Sequence, residues 1–146
     1  MDTLSGDELV NKAREIATKA HEGQYRWDKV TPYITHPQAV SCMVNTYKRK
    51  AVAWLHDVLE DTTVTEADLL AAGISEDVVD AVKVLTHKVD QPYLQYILAV
   101  TDHPIASWVK VADITHNLSN LDRKRNKDKF DKYQMALYIL SNGDAV

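Results

Sequence analysis

The chain holds one cysteine, Cys42, among 146 residues, so no disulfide can close within it. Beside Met43 and Val44 it reads as a small buried hydrophobe in a reducing compartment. Glycine and proline are scarce, four of each, which excludes collagen-like repeats and low-complexity linkers. Long apolar runs are missing as well. The longest, residues 51–55 and 96–100, fall far short of the roughly 20 residues of a membrane-spanning helix, so no membrane partner is expected. The start, Met1-Asp2-Thr3-Leu4-Ser5, has neither the basic patch nor the apolar run of a secretory signal, and the expected location is cytoplasmic. A basic excess is absent too: 17 Lys and Arg against 21 Asp and Glu give a net charge of −4, which argues against a nucleic-acid partner. What is there, 45% apolar and 26% charged residues, is enough for one core, because a domain of this size buries roughly 70% of its unfolded surface. One domain over residues 1–146 is expected.

The apolar residues recur at the helical period. Leu9, Ala13, Ile16, Ala17 and Ala20 form a stripe that Ser5-Gly6-Asp7-Glu8 opens as a capping box and Gly23 closes. Pro37 starts a second helix through Val40, Val44 and Tyr47, and residues 50–59 form a third. Thr65 opens a short fourth that Gly73 ends; Ser75 opens a fifth through Val78, Val82 and Leu85. Three more begin near Pro92, Pro104 and Lys127. No run of alternating β-branched residues demands a sheet. The fold class is all-α, with about eight helices.

Chemistry concentrates in a few of these segments. His56 and Asp57 stand about 100° apart on the third helix, with Glu60 and Asp61 one turn on. Three carboxylates crowded on one helix repel one another, and a divalent cation relieves that cost. In the seventh helix Val111, Ile114, Leu118 and Leu121 make an apolar stripe, while Lys110, Asp113, Asn117 and Asn120 make a polar one that is either solvated or lines a site. His36, at a loop-to-helix junction set by Pro37, supplies a second imidazole. Two imidazoles and two carboxylates suit Mn, Fe, Co or Zn rather than a soft thiolate metal.

Other polar residues read more plainly. His21, His87 and His103 are expected at the surface or at helix caps, and His116 as a structural residue or one standing behind the site. The basic run Arg123, Lys124, Arg125, Lys127 and Lys129 reads as a solvated helix connection. Trp54 and Trp108 are expected in the core, and Trp27, in the loop of residues 23–35, as a stacking candidate.

The segments Pro32-Tyr33-Ile34-Thr35-His36-Pro37, His56-Asp57-Val58-Leu59-Glu60-Asp61-Thr62 and Val111-Ala112-Asp113-Ile114-Thr115-His116-Asn117 resemble, in order, the three signatures of the RelA/SpoT-type (p)ppGpp hydrolase domain, a metal-dependent HD-domain phosphohydrolase. The likeness runs over about residues 20–121. It implies a compact HD-type helical bundle in which His36, His56, Asp57 and Asp113 hold Mn2+, or alternatively Co2+, Fe2+ or Zn2+. It implies Glu60 and Asp61 as the catalytic acids that orient or deprotonate the attacking water. Asn117 resembles the residue that contacts the sugar or phosphate of a small nucleotide substrate, and Arg26 and Lys29 lie in the loop where the family places basic residues that steady it; the substrate would be hydrolysed to GDP or GTP and pyrophosphate. With no synthetase domain following, a stand-alone hydrolase is implied. Ile114, where the family commonly carries Arg, and the short stretch of residues 86–108 keep a second reading open: a phosphohydrolase of another nucleotide, a deoxynucleoside monophosphate or NADPH. A non-catalytic nucleotide-binding module is the third.

Overall fold

The computed structural model describes residues 4–142; Met1, Asp2 and Thr3, considered above as part of a possible signal, lie outside them. Among the described residues there are nine helices: α1 (Gly6–Ala20), α2 (Thr35–Cys42), α3 (Tyr47–Leu55), α4 (Val58–Asp61), α5 (Glu66–Ala71), α6 (Glu76–Leu85), α7 (Tyr93–Thr101), α8 (Ala106–Ser119) and α9 (Lys127–Asn142). The only extended pairing among these residues is an isolated bridge, Tyr25 with Pro32, inside the loop after α1. No helix there is long and apolar enough to cross a membrane.

The caps follow the sequence closely. Ser5 Oγ accepts the Glu8 backbone N–H at 3.2 Å, while Glu8 Oε1 accepts that of Ser5 at 3.1 Å. Thr65 and Asp68 do the same for α5. Gly23 (φ 81°) and Gly73 (φ 94°) take the left-handed conformation just past α1 and α5, where a side chain would be strained.

Three boundaries differ from expectation. The second helix begins at Thr35, and Pro37 is its third residue, tolerated because first-turn N–H groups have no helical acceptor. It stops at Cys42, and Tyr47 instead opens α3 behind Thr46, whose hydroxyl accepts the Arg49 N–H at 3.2 Å. The expected third helix is broken at His56 and Asp57 into α3 and α4. Asp57 sits at φ −105°, ψ 0°, the sparsely used bridge region. Two burial expectations also fail: Cys42 is exposed, and Trp108 is about half exposed, with Arg49 stacked over its ring at 4.5 Å. Trp54 is in the core as expected.

Residues 51–55 are buried one after another, so the C-terminal half of α3 is apolar all round and must lie centrally, while its first half carries Lys48, exposed, and Arg49, half-buried. It touches α1, α2, α6 and α8. Helix α8 in turn touches α2, α6, α7 and α9, and its Val109 and Ile114 enter the core. Ile114 thus occupies a fully buried apolar position. Because α2, α3 and α8 touch pairwise, a residue from each can meet at one point.

Candidate metal centre

That point is occupied by His36 from α2, His56 and Asp57 from the α3–α4 break, and Asp113 from α8. His36, His56 and Asp113 are almost closed to solvent, and Asp57 is partly buried. His36 Nε2 lies 2.7 Å from Asp113 Oδ1 and 4.0 Å from Asp57 Oδ2. His56 Nε2 lies 3.0 Å from Asp57 Oδ2 and 3.3 Å from Asp113 Oδ1. On a regular helix neighbouring side chains diverge by about 100°. The break lets His56 and Asp57 turn inward together.

His56 Nδ1 is 2.6 Å from the Ala53 carbonyl, which can only accept, so Nδ1 carries the ring proton. In the neutral ring Nε2 then points a lone pair at two carboxylate oxygens, and it is a buried nitrogen without a hydrogen-bond partner. Such an arrangement repels itself unless a positive charge stands in the middle. Burial opposes charge on His56, but Asp57 and Asp113 outweigh it and hold the imidazole well above the usual histidine range. Burial likewise opposes charge on Asp113, yet Lys110 first, then His36 and His56, hold its carboxyl well below the usual value. Asp57 is drawn down to about 2 against its own burial, chiefly by His56.

The donor set fits a divalent ion. His36, His56 and Asp57 each offer a ligand atom, all within 4.8 Å of one another. Imidazole nitrogens together with carboxylate oxygens are the donor types that a borderline divalent ion takes.

Several neighbours hold these side chains in place. The Tyr33 hydroxyl donates a short hydrogen bond to Asp57 Oδ2, and burial followed by the Asp57 charge pushes the Tyr33 pKa well up, so the proton stays on the phenol. Lys110 Nζ meets Asp113 Oδ2 at 2.9 Å. Asn117 donates to Asp113 Oδ1 at 3.3 Å and accepts from Arg26 at 3.3 Å, so two of the expected substrate residues are tied together. His116 Nδ1 lies 2.7 Å from His36 Nδ1, with the rings stacked at 5.0 Å, in line with a place behind the site.

His21 is not at the surface. It ends α1 as its C-cap, is buried, meets Gln24 at 2.7 Å and packs against Tyr33 at 4.8 Å. His103 caps α8, accepting the N–H groups of Ile105 and Ala106 at 3.1 Å. Tyr33 and Lys110 were given no role from sequence. Tyr33 stood inside the first signature and Lys110 on the polar stripe, one turn from Asp113, and those were their signals.

Glu60 and Asp61 lie on α4, open to solvent. Glu60 Oε1 accepts the His87 backbone N–H at 2.8 Å. Partial burial of the Asp61 carboxyl, then repulsion from Asp57 and Glu60, pushes its pKa up to about 6. Lys29 is exposed at the loop tip (φ 64°), where its backbone N–H donates to the Arg26 carbonyl at 2.9 Å. Two clefts open here. One of about 180 Å3 is bordered by Tyr25, Arg26, Trp27, Tyr33, Asn117 and Tyr133. The other, about 160 Å3, is bordered by Asp57, Glu60, Tyr93, Lys110, Lys132 and Tyr133. Arg123, Lys124, Arg125 and Lys127 are exposed, as a solvated connection requires.

No protein-family model matches the chain. It is 37% identical over 124 residues to the guanosine-3′,5′-bis(diphosphate) 3′-pyrophosphohydrolase of Haemophilus influenzae, covering 75% of this chain and 18% of that protein. It is 34% identical over 144 residues to the bifunctional (p)ppGpp synthase/hydrolase SpoT of Escherichia coli, covering 86% and 20% respectively. The chain is a RelA/SpoT-type HD domain. It spans about one fifth of the length of these curated relatives. The fold of the RelA/SpoT-type domain also matches a solved structure described as a metazoan SpoT ortholog that hydrolyzes ppGpp, with a TM-score of 0.78 at 21% identity, covering 96% of this chain and 88% of that one.

Proposed function

We propose that this domain hydrolyses the 3′-diphosphate of (p)ppGpp, using a divalent cation, manganese first, held by His36, His56, Asp57 and Asp113. The observation that carries the reading is the convergence of two imidazole nitrogens and two carboxylate oxygens beside an acidic pair, in a chain related to named (p)ppGpp pyrophosphohydrolases. A nucleotide substrate goes with a cytoplasmic setting.

Held by these four residues, the cation would lower the pKa of a water and neutralise charge on the phosphoryl oxygens. Asp61, whose carboxyl is pushed up to about 6, accepts the proton of the attacking water near neutral pH. Glu60, fixed by the His87 N–H, orients it. The water oxygen bonds to the phosphorus attached to the ribose 3′-oxygen. The 3′-O–P bond breaks, the 3′-oxygen takes up a proton, and GDP and pyrophosphate leave from ppGpp. Arg26 and Asn117 face the larger cleft, whose Trp27 and tyrosine walls suit a nucleoside, and Lys29 adds positive charge on the same loop.

Incubation of the manganese-loaded protein with ppGpp is expected to give GDP and pyrophosphate in equal amounts. Release of orthophosphate from NADPH or a deoxynucleoside monophosphate, with ppGpp untouched, would replace this reading by the alternative substrate. Metal binding without turnover of any of these would leave a nucleotide-binding module.

A further inference from the structure

The smaller cleft contains groups that the mechanism above does not use. Lys110 and Lys132 reach it from α8 and α9, and Tyr93 from the start of α7. Lys110 is already paired with Asp113. Lys132 is not paired: among the described residues no carboxylate lies within ion-pair distance, and its Nζ contacts only the faces of Tyr93 (4.4 Å) and Tyr133 (5.5 Å). The Tyr93 hydroxyl is closed to solvent and lacks a hydrogen-bond partner. An unmatched cation beside an unmatched buried donor leaves a stabilising interaction unmade, and an anionic oxygen supplies it. Burial first, then Lys129 and Lys110, lower the Lys132 pKa, which an anion in the cleft would reverse. Burial pushes Tyr93 up to about 12, so its hydroxyl remains a donor.

The position of the cleft says which anion. Asp57 and Glu60 form one wall, so an oxyanion lodged by Lys132 lies next to the phosphorus under attack. The other cleft, with Arg26, Asn117 and the aromatic walls, takes the nucleoside. We infer that Lys132 and Tyr93 bind the distal phosphate of a 3′-diphosphate, and so select diphosphate over monophosphate esters. This rests on the hydrolase reading and names the part of the substrate that the second cleft recognises. In this reading the attacked phosphate lies at the Asp57 wall of the cleft and the distal one at Lys132, a contact that a monophosphate ester lacks.

The test is inhibition and direct binding by inorganic pyrophosphate and by orthophosphate, with manganese-loaded protein at constant free manganese. In Lys132→Met, pyrophosphate is expected to bind about tenfold more weakly, the scale of one lost charge-assisted contact, with orthophosphate changed less than about twofold. The KM for ppGpp should rise by a similar factor with kcat little altered. Lys132→Arg should recover most of the loss, and Tyr93→Phe should show a smaller loss of the same selectivity. Equal weakening of both anions, or no weakening of either, in variants with wild-type helicity overturns the inference. If the wild type does not hydrolyse ppGpp, the hydrolase reading fails. Calorimetric titration of the two anions still decides the cleft: selective loss of pyrophosphate in Lys132→Met upholds it, and equal behaviour sinks it.

Discussion

At the scale of single residues, His56 carries most of the case for a bound cation. In the neutral ring its Nδ1 proton is committed to Ala53, so Nε2 can only accept, yet the atoms nearest to it are carboxylate oxygens, and either a proton or a metal ion must stand between them. Asp57→Asn replaces an anionic oxygen donor by a neutral amide and removes one charge. It is expected to abolish stoichiometric manganese, read by elemental analysis, while circular dichroism still reports a helical protein. Glu60→Gln is expected to keep the metal and slow turnover, because Glu60 contacts His87 and not the four-residue cluster. The raised pKa of Asp61 fixes the sign of a pH effect. A base that titrates at about 6 is lost as pH falls through that value, so kcat/KM should decline below about pH 6. Bound positive charge favours the carboxylate and moves this limb lower. Asp61→Asn should remove the limb and lower kcat about 10²-fold or more. The identities of these residues were plain in the sequence, since His-Asp followed by Glu-Asp is a local pattern. The supporting roles of Tyr33, Lys110 and His21 were not, because each acts on a residue distant in the chain or on another element's packing.

The helices show how local rules met a tertiary exception. Caps at Ser5 and Thr65 and left-handed glycines at 23 and 73 lie where neighbouring residues dictate them. The continuous third helix did not survive, although nothing in residues 50–59 forbids one. Convergence of His56 and Asp57 with His36 and Asp113 goes with the break. Helix α1 adds a constraint of its own. A Cβ on Gly6 would fall well inside contact distance of the Tyr47 ring, where α1 meets α3. Alanine favours a helix interior over glycine by about 1 kcal/mol, an upper bound at this first helical position, so helix propensity alone would not make Gly6→Ala harmful, yet it is expected to destabilise this protein. Urea unfolding should show a lower midpoint, restored when Tyr47→Ala is added.

For the whole molecule, the centre joins segments 20 and 56 residues apart along the chain, so an ion bound there ties α2, the α3–α4 junction and α8 to one another. Removing metal by chelation should therefore lower the melting midpoint. Ligand at about a hundred times its Kd contributes roughly 2.7 kcal/mol, and in a chain of this size each kcal/mol is worth about 2–4 °C. A fall of roughly 5–10 °C, reversed by added manganese and absent in Asp57→Asn, is expected by scanning calorimetry. Sequence by itself determined the helical class, most helix positions and the residue types able to hold a metal and activate water, because periodicity, caps and motif spacing are set within a few turns of chain. Only the tertiary structure decided that four side chains meet within a few ångströms, that the third helix breaks between them, and that two clefts flank the meeting point. Those outcomes depend on which apolar faces pack together, and packing is a property of distant segments acting at once.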